Sequence, residues 1–283
     1  MKTALSAHTD MSLSPTGQQV APGTLPLLQA RIAGINDAQV HALAQACWQD
    51  AGQPLLLLQS WAQAGVDWED IYLHGVVPAA QLLGQWWLAD RMDFVAVSIA
   101  STRLQQTLYD LSPTFLNQAR DANNGLSALL FCCPGSQHTM GVFMLGEFFR
   151  KSGWRVSGVP FPGAASALRS VQSDWFDVLG LSVSTTLCLE SVGGLIRNLR
   201  AASANPALKI MVGGPMAATN RGLMLSLGAD FIGGDARESQ RLARQYVKQD
   251  PRFQAEYGPC AITIDTSKRI QEFTLAGPHA ARP

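Results

Sequence analysis

The chain of 283 residues has little charge and no excess of either sign. Only 15% of its residues are charged, Lys and Arg together number 21, and Asp and Glu also number 21. A broad surface for nucleic-acid phosphates requires clustered Lys and Arg. The most basic stretch, residues 237–248, includes Glu238, and we interpret it as a solvated helix face. We therefore expect no direct nucleic-acid contact, and any action on DNA would pass through a partner.

Cysteine is also scarce, and long apolar runs are missing from the start of the chain. The five cysteines are scattered and form neither a CxxC zinc pair nor a disulfide framework. This pattern is typical of the reduced cytoplasm, where we expect the protein to reside. The first residues contain no long apolar segment, so we predict neither a signal peptide nor a membrane span.

The chain divides into four predicted segments. Residues 1–26 are rich in Ser, Thr, Pro and Gly and are predicted to form a disordered tail. Residues 27–120 repeat apolar positions at steps of three and four, which predicts a helical bundle. Residues 121–250 alternate short apolar runs with helical stretches, and residues 251–283 lose periodicity and are predicted to be loosely ordered.

The alternating segment predicts an α/β fold. Its apolar runs lie at 126–133, 154–160, 177–184, 208–214 and 229–234, with helical stretches near 140–152, 165–173, 187–203, 217–227 and 236–248. Strands that alternate with helices form a parallel sheet covered on both faces. We expect a flavodoxin-like (Rossmann-type) five-stranded parallel sheet, preceded by the helical bundle as a cap. Such sheets bind ligands at the carboxyl ends of their strands.

Small and hydrogen-bonding residues follow three of the predicted strands. They are Ser136, His138 and Gly141 after the first strand, Ser182, Ser184 and Thr186 after the third, and Gly213 and Gly214 after the fourth. The two glycines leave a gap at the rim of the sheet that a long flat group could enter. Hydroxyl groups could bind its polar atoms, and the imidazole could ligate a metal.

These residues resemble the motifs of the cobalamin-binding domain family, which are D-x-H-x-x-G, S-x-L and Gly-Gly after the same three strands. Forty residues, 142–181, separate Gly141 from Ser182, and 28 residues, 185–212, separate Ser184 from Gly213, close to the family's spacing. The resemblance implies that His138 is the lower axial ligand of cobalt. It also implies that Ser182, Ser184 and Thr186 lie at the nucleotide tail of the cofactor. Gly213 and Gly214 would line the channel for that tail.

The predicted bundle extends the resemblance. The stretch LLGQWWLADRMDFVAVSIAS is similar to the capping helices of cobalamin photoreceptors, which places Trp87 over the upper face of the corrin. Photoreceptor repressors of the CarH type carry Val, Glu and His at three further positions, which are Phe94, Val97 and Ser98 in this chain.

Two departures from the family pattern narrow the prediction. Ser136 replaces the aspartate that holds the axial imidazole, and losing such a partner typically lowers metal affinity about 10- to 100-fold. Ser98 stands where a cap histidine would be, so the upper position is left to water, hydroxide or an alkyl group. We therefore expect hydroxo-, methyl- or adenosylcobalamin as the cofactor.

With these departures, the sequence is most similar to the AerR/PpaA antirepressors of purple photosynthetic bacteria. That resemblance implies a light-responsive regulator without catalytic residues, which acts on a transcription factor of the PpsR/CrtJ type. Two alternatives stay open. One is a corrinoid carrier of a methyltransferase or mutase system, and the other is a haem or redox sensor on the same scaffold.

Each candidate residue also has an ordinary structural interpretation. The hydroxyl groups at 182–186 could cap the next helix, and the glycine pair could form only a tight turn. Trp86 and Trp87 point about 100° apart on a helix, so that one packs in the core while the other is available to a ligand. We predict that Trp87 is the available one.

Overall fold

A computed structural model describes residues 34–49, 52–118, 123–136, 139–158 and 164–251 of the protein. The predicted N-terminal tail and all but the first residue of the predicted C-terminal tail lie outside these ranges. So does His138, the predicted axial ligand.

The first half of the described chain is helical, as predicted. The helices are α1 (Asp37–Trp48), α2 (Pro54–Gln63), α3 (Trp68–Asp70), α4 (Val77–Leu88) and α5 (Phe94–Leu116), here called the bundle. Asn36 and Gln39 form a reciprocal capping box that fixes the start of α1. A π-helical turn, Ile71–Val76, joins α3 directly to α4. Pro78 lies just after that turn and has no N–H to donate. The change from π-helical to α-helical hydrogen bonds therefore occurs where one backbone hydrogen bond of the helix is missing.

The second half contains five parallel strands in the order β2-β1-β3-β4-β5. Their bounds are β1 (Ser127–Cys132), β2 (Arg155–Ser157), β3 (Val178–Ser182), β4 (Lys209–Gly213) and β5 (Phe231–Ile232). The predicted fold class is confirmed. The central strands β1, β3 and β4 are almost wholly buried, which is expected for a sheet covered by helices on both faces.

Helices connect the strands and cover the sheet. They are α6 (Met140–Lys151), α7 (Ala164–Ser173), α8 (Leu187–Ala202), α9 (Pro215–Thr219), α10 (Arg221–Ser226) and α11 (Ala236–Lys248). One helix was predicted near 217–227, but the structure has two, α9 and α10, which meet at Asn220. Helices α6 and α11 share one apolar core with the sheet, and α7 to α10 share the other.

The bundle packs against α6. Phe143, Met144 and Phe148 of α6 belong to the same apolar core as the bundle helices. Helix α5 runs parallel to α6, because Tyr109 contacts Phe143 and, about one and a half turns later on both helices, Phe115 contacts Phe148.

Helix α5 begins well before this contact. Gln105 is hydrogen-bonded to Thr139, the residue before α6, and the part of α5 from Phe94 to Gln105 extends about 16 Å further. Because α6 starts at the carboxyl end of β1, this part of α5 projects beyond the carboxyl edge of the sheet. We call it the α5 overhang (Phe94–Leu104).

No helix within the described ranges combines the length and the apolar character needed to cross a bilayer.

Candidate cofactor site

The strand register brings three of the predicted loops together. Cys132 of β1 pairs with Ser182 of β3, and Ser182 pairs with Gly213 of β4. The backbone pairing continues one residue further, since the N–H of Cys133 donates to Ser182 and that of Val183 donates to Gly213, both at 2.8 Å. The loops after β1, β3 and β4 therefore leave the sheet side by side.

A hydroxyl pair links the first and third of these loops. The Oγ atoms of Ser136 and Ser184 lie 2.6 Å apart, and either can donate. The N–H of Ser136 also donates to the carbonyl of Cys133, at 3.0 Å, which closes a turn after β1. Ser136, two positions before His138 in the sequence, is thus held against the β3 loop. The axial role of His138 itself stays a prediction.

The two glycines after β4 have different surroundings. A Cβ atom on Gly214 would lie 2.6 Å from the carbonyl oxygen of Val183 and 3.1 Å from the hydroxyl of Ser182, and its φ of +92° disfavours any side chain. A Cβ atom on Gly213 would meet nothing within 4 Å. Gly214 therefore permits close packing of the β3 and β4 loops, and Gly213 borders open space.

The predicted hydroxyl residues of the β3 loop are available for a ligand to different degrees. Ser182 and Ser184 are half-buried beside the glycine pair, and Thr186 is exposed just before α8. The side chain of Thr186 makes no capping hydrogen bond to α8. Helix capping is therefore not the reason for a hydroxyl group at position 186.

The thiol of Cys133, beneath the site, packs in the core rather than ligating a metal. Burial raises the pKa of Cys133 to about 12, so this thiol is protonated at neutral pH and is a poor metal ligand. Its Sγ lies 3.9 Å from the carbonyl oxygen of Cys188. Within the part of the chain that the structure describes, no three His, Cys, Asp or Glu side chains converge to hold a metal ion.

The two adjacent tryptophans have different environments. Trp86 is 3% exposed and packs against the rings of Trp48 and His41. Trp87 is 46% exposed, at the end of α4. Of the pair, Trp87 is thus the one available to a ligand, and contact with a corrin stays a prediction.

The other predicted cap residues lie on the α5 overhang. Phe94 is 70% exposed, and Ser98 is half-buried and donates its hydroxyl to the carbonyl of Phe94 at 2.7 Å. Val97 packs partly into the bundle core. Phe94 and Ser98 share a helix face with Gln105 and Tyr109, which contact the start of α6. This face of the overhang is thus turned to the same side as the α/β region.

Sequence patterns did not identify Gln105 or Thr139 as parts of the site. The side chain of Gln105 reaches Thr139, next to His138, across 34 positions of sequence. A sequence pattern that could have indicated this helix face is the spacing of residues 94, 98, 101, 105 and 109. It puts polar and aromatic residues on one face of a long helix.

These residues fit a cobalamin with an extended nucleotide tail. The gap beside Gly213 offers the space, and Ser136, Ser182 and Ser184 offer half-buried hydroxyl groups at its border. Gly141, at the start of α6, is exposed and has equally open space around it. His138, two residues beyond Ser136, would supply the nitrogen ligand for the cobalt.

Part of the chain matches known proteins. Residues 126–243 match the family model "B12 binding domain". An uncharacterized 20.5 kDa protein in the bchF-crtJ intergenic region of Rhodobacter capsulatus is 28% identical over 180 residues, covering 64% of this chain and 93% of that protein. The HTH-type transcriptional repressor CarA of Myxococcus xanthus is 33% identical over 148 residues, covering 50% of this chain and 47% of that protein.

A solved structure shares the fold. The monomethylamine corrinoid protein of Methanosarcina barkeri superposes with a TM-score of 0.62 at 17% identity, covering 74% of this chain and 96% of that one. This likeness shows the same arrangement of sheet and helices.

The predicted cofactor is confirmed by the family match, which spans all five strands and the loops described above. Residues 126–243 of the chain thus match the B12-binding domain family, and the cofactor that this match supports is cobalamin.

Proposed function

We propose that the protein is a light-responsive, cobalamin-binding regulator of transcription that works as an antirepressor and has no catalytic role. The observation that carries this proposal is the α5 overhang, which extends past the B12-binding edge with Phe94 exposed at its tip. An exposed aromatic side chain above a cofactor site can contact the cofactor in one state and be released in another.

In this proposal each predicted residue has a defined task. His138 binds the cobalt from below, and the hydroxyl groups of Ser182, Ser184 and Thr186 bind the nucleotide tail. Gly213 and Gly214 border the channel of that tail. Trp87, Phe94, Val97 and Ser98 form the surface on the upper side. The cofactor supplies a cobalt–carbon bond that visible light breaks.

The proposed partner is a repressor of the PpsR/CrtJ type, contacted directly by this protein. Two matches support a role in transcription. One relative is encoded in a bchF-crtJ intergenic region, and another is an HTH-type transcriptional repressor.

The test is an absorption spectrum of the protein purified in darkness with adenosyl- or methylcobalamin, recorded before and after illumination. We expect a bound cobalamin spectrum that changes irreversibly in light, together with a change in the DNA affinity of an added PpsR/CrtJ-type repressor. A spectrum that light leaves unchanged contradicts the proposal. A Soret band would favour the haem sensor, and methyl transfer to a thiol would favour the corrinoid carrier.

The variant His138→Ala tests the axial assignment. We expect its cobalamin affinity to fall by a factor of about 100 or more, since losing even an indirect partner of a ligand costs about 10- to 100-fold. The free energy of unfolding of the cofactor-free protein should not change. Ser136→Asp is the matched variant, and it should strengthen binding because it restores a charged partner. Unchanged affinity and spectrum in His138→Ala would show that another group binds the cobalt.

A further inference from the structure

We propose that Cys188 and Cys133 are an oxidant-sensitive thiol pair, which a peroxide converts into a disulfide between the end of β1 and the start of α8. This chemistry is separate from cobalamin binding and goes beyond the proposed function, so that either can fail without the other.

The first observation is the contact between the two side chains. Cys133 directly follows β1, and Cys188 is the second residue of α8. The sulfur of Cys133 lies 3.9 Å from the carbonyl oxygen of Cys188, and the two thiol groups are hydrogen-bonded to each other. Both residues belong to the same apolar core. Because the side chains are already in contact, a disulfide requires no rearrangement of the sheet.

The sulfur of Cys188 is surrounded by hydrogen-bond donors. The hydroxyl of Thr185 lies 3.2 Å from it, and the N–H groups of Ser184 and Thr185 and the thiol of Cys133 also donate to it. Burial alone would raise the pKa of Cys188, but these hydrogen bonds lower it below its ordinary value. The first turn of a helix also favours a negative charge. The thiolate of Cys188, which is the reactive form of the residue, is therefore stabilised.

Two other buried thiols have the opposite character. Burial raises the pKa of Cys133 to about 12, and it raises that of Cys47 in α1 to about 12 as well, although Arg103 opposes the effect at Cys47. Cys188 is thus the thiol that reacts with the oxidant, and Cys133 completes the disulfide. Cys47, in the core of the bundle, provides a thiol of ordinary low reactivity for comparison.

The loop after β3 controls access to Cys188. Cys188 is 2% exposed, but Ser184 and Thr185 above it are half-buried and Thr186 is exposed. Hydrogen peroxide is not much larger than water, so a local opening of this loop is sufficient to admit it.

The reaction has two steps. In the first, the thiolate of Cys188 attacks one oxygen of the peroxide, the O–O bond breaks, and Cys188 becomes a sulfenic acid. The hydroxide that leaves takes up the proton that Cys188 has lost and becomes water. In the second step, the sulfur of Cys133 attacks that of Cys188 and the S–S bond forms. Hydroxide leaves with the proton of Cys133 as a second water, so two thiols are oxidised and one peroxide is reduced.

Peptide mass spectrometry of the full chain, prepared without cobalamin and treated with hydrogen peroxide, tests the proposal. Trypsin releases Cys133 within residues 121–150 and Cys188 within residues 170–197. We expect these two peptides to become linked by a disulfide that a thiol reductant cleaves. Absence of the link, or a link that forms only after unfolding in urea, would overturn the proposal.

Variants of the two adjacent cysteines identify the partner of Cys188. Cys133→Ala should abolish the link and leave on Cys188 a sulfenic acid that dimedone traps, and Cys133→Ser should do the same. Cys132→Ala, the matched control on the same peptide, should form the link as the wild type does. A link that survives in Cys133→Ala and is lost in Cys132→Ala would contradict the assigned pair.

The rate of oxidation tests the donors around Cys188. Cys188 should react faster with peroxide than Cys47 in the same sample. Thr185→Val should slow the reaction of Cys188 at pH 7 by about 2- to 10-fold, the range of one net hydrogen bond, and Thr185→Ser should keep the wild-type rate. Equal rates at Cys188 and Cys47 in the wild type would show that Cys188 is not activated and would overturn the proposal.

Discussion

The two sides of helix α6 are packed in different ways. On the side of the sheet, Val142 and Phe149 lie in an apolar core with Leu130 of β1, in which the indole N–H of Trp154 is buried and has no hydrogen-bond partner in the described part of the chain. On the side of the bundle, the carboxylate oxygen Oε2 of Glu147 and the hydroxyl of Tyr72 are buried and have no such partner among the described residues.

This difference indicates which contact of helix α6 separates more easily. A buried, unpaired carboxylate oxygen lowers stability much more than a buried apolar atom would. Burial accordingly raises the pKa of Glu147 above its usual value, against the opposing effects of Ser112 and Arg150. Regions that move in a functional change come from the less stable parts of a fold. We therefore expect the contact between the bundle and α6 to loosen before the sheet does.

The largest loss of stability is expected within the bundle, at one of its two adjacent tryptophans. Trp86→Ala should lower the free energy of unfolding by about 3–5 kcal/mol, because a buried ring leaves a cavity. Trp87→Ala, its exposed neighbour, should cost less than about 1 kcal/mol and alter the spectrum of bound cobalamin instead. Chemical denaturation of both variants gives the values. Equal losses of stability would make Trp87 a core residue.

The next largest effect concerns the edge of the sheet. Gly214→Ala should cost about 2–3 kcal/mol, since its φ of +92° and the carbonyl of Val183 both oppose a side chain. Gly213→Ala should leave the stability nearly unchanged and weaken cobalamin binding, because it fills the open space next to the predicted tail. Titration with cobalamin, together with denaturation, separates the two. Full affinity in Gly213→Ala would place the tail elsewhere.

A smaller effect tests the bundle side of α6 directly. The pKa of Glu147 in the folded protein is raised above its ordinary value of 4.5. At a pH just above 4.5 the folded protein therefore holds a proton on Glu147 that the unfolded protein has lost. The free energy of unfolding consequently falls as the pH rises from 4.5 through the folded-state pKa. Glu147→Gln should therefore stabilise the protein by about 1 kcal/mol at pH 7. The free energy of unfolding of this variant should also fall less as the pH rises. Thermal unfolding between pH 4 and 8 measures it, with the exposed Glu190→Gln as control. A loss of stability at pH 7 would mean that the carboxylate is needed.

The smallest effect concerns the ion pairs that connect the bundle to α11 and α6, here called the rim. Nε of Arg237 lies 2.7 Å from Glu69 and its Nη2 lies 2.8 Å from Asp70, while Nζ of Lys151 also reaches Glu69 at 3.0 Å. Arg237 is 44% exposed, so Arg237→Ala should cost less than about 1 kcal/mol, and less still at high salt.

Arg241→Ala, one turn further along α11, is the control for this rim. The opposite result is that Arg237→Ala lowers the free energy of unfolding by more than about 2 kcal/mol, with no reduction of this loss at high salt. That result would contradict a contact that can separate.

Much of the fold could be predicted because the sequence repeats a simple pattern. The runs ending at Cys133, Ser184 and Gly214 alternate with helical stretches, which permits few topologies other than a parallel sheet. The break at Asn220 escaped prediction, because apolar residues continue at helical spacing across it. The π-helical turn also escaped, because Pro78 predicts an interrupted helix and not the way in which the chain continues.

The candidate site was predictable where it follows the strands and not where distant elements meet. Ser136, Ser184 and Gly213 each follow a strand, so local pattern and spacing were sufficient to select them. The pairing of Ser136 with Ser184 and the reach of Gln105 to Thr139 depend on how loops and helices pack. No periodicity in the sequence encodes such contacts.

Hydrogen–deuterium exchange of the cobalamin-loaded protein, in darkness and after illumination, measures whether light separates the bundle from the sheet region. Faster exchange after light in Leu88–Phe94 and in the first turn of α6, with β1, β3 and β4 unchanged, is the predicted result. Exchange that light leaves unchanged in the bundle, or that increases equally in the sheet, would contradict a separable bundle on a permanent sheet.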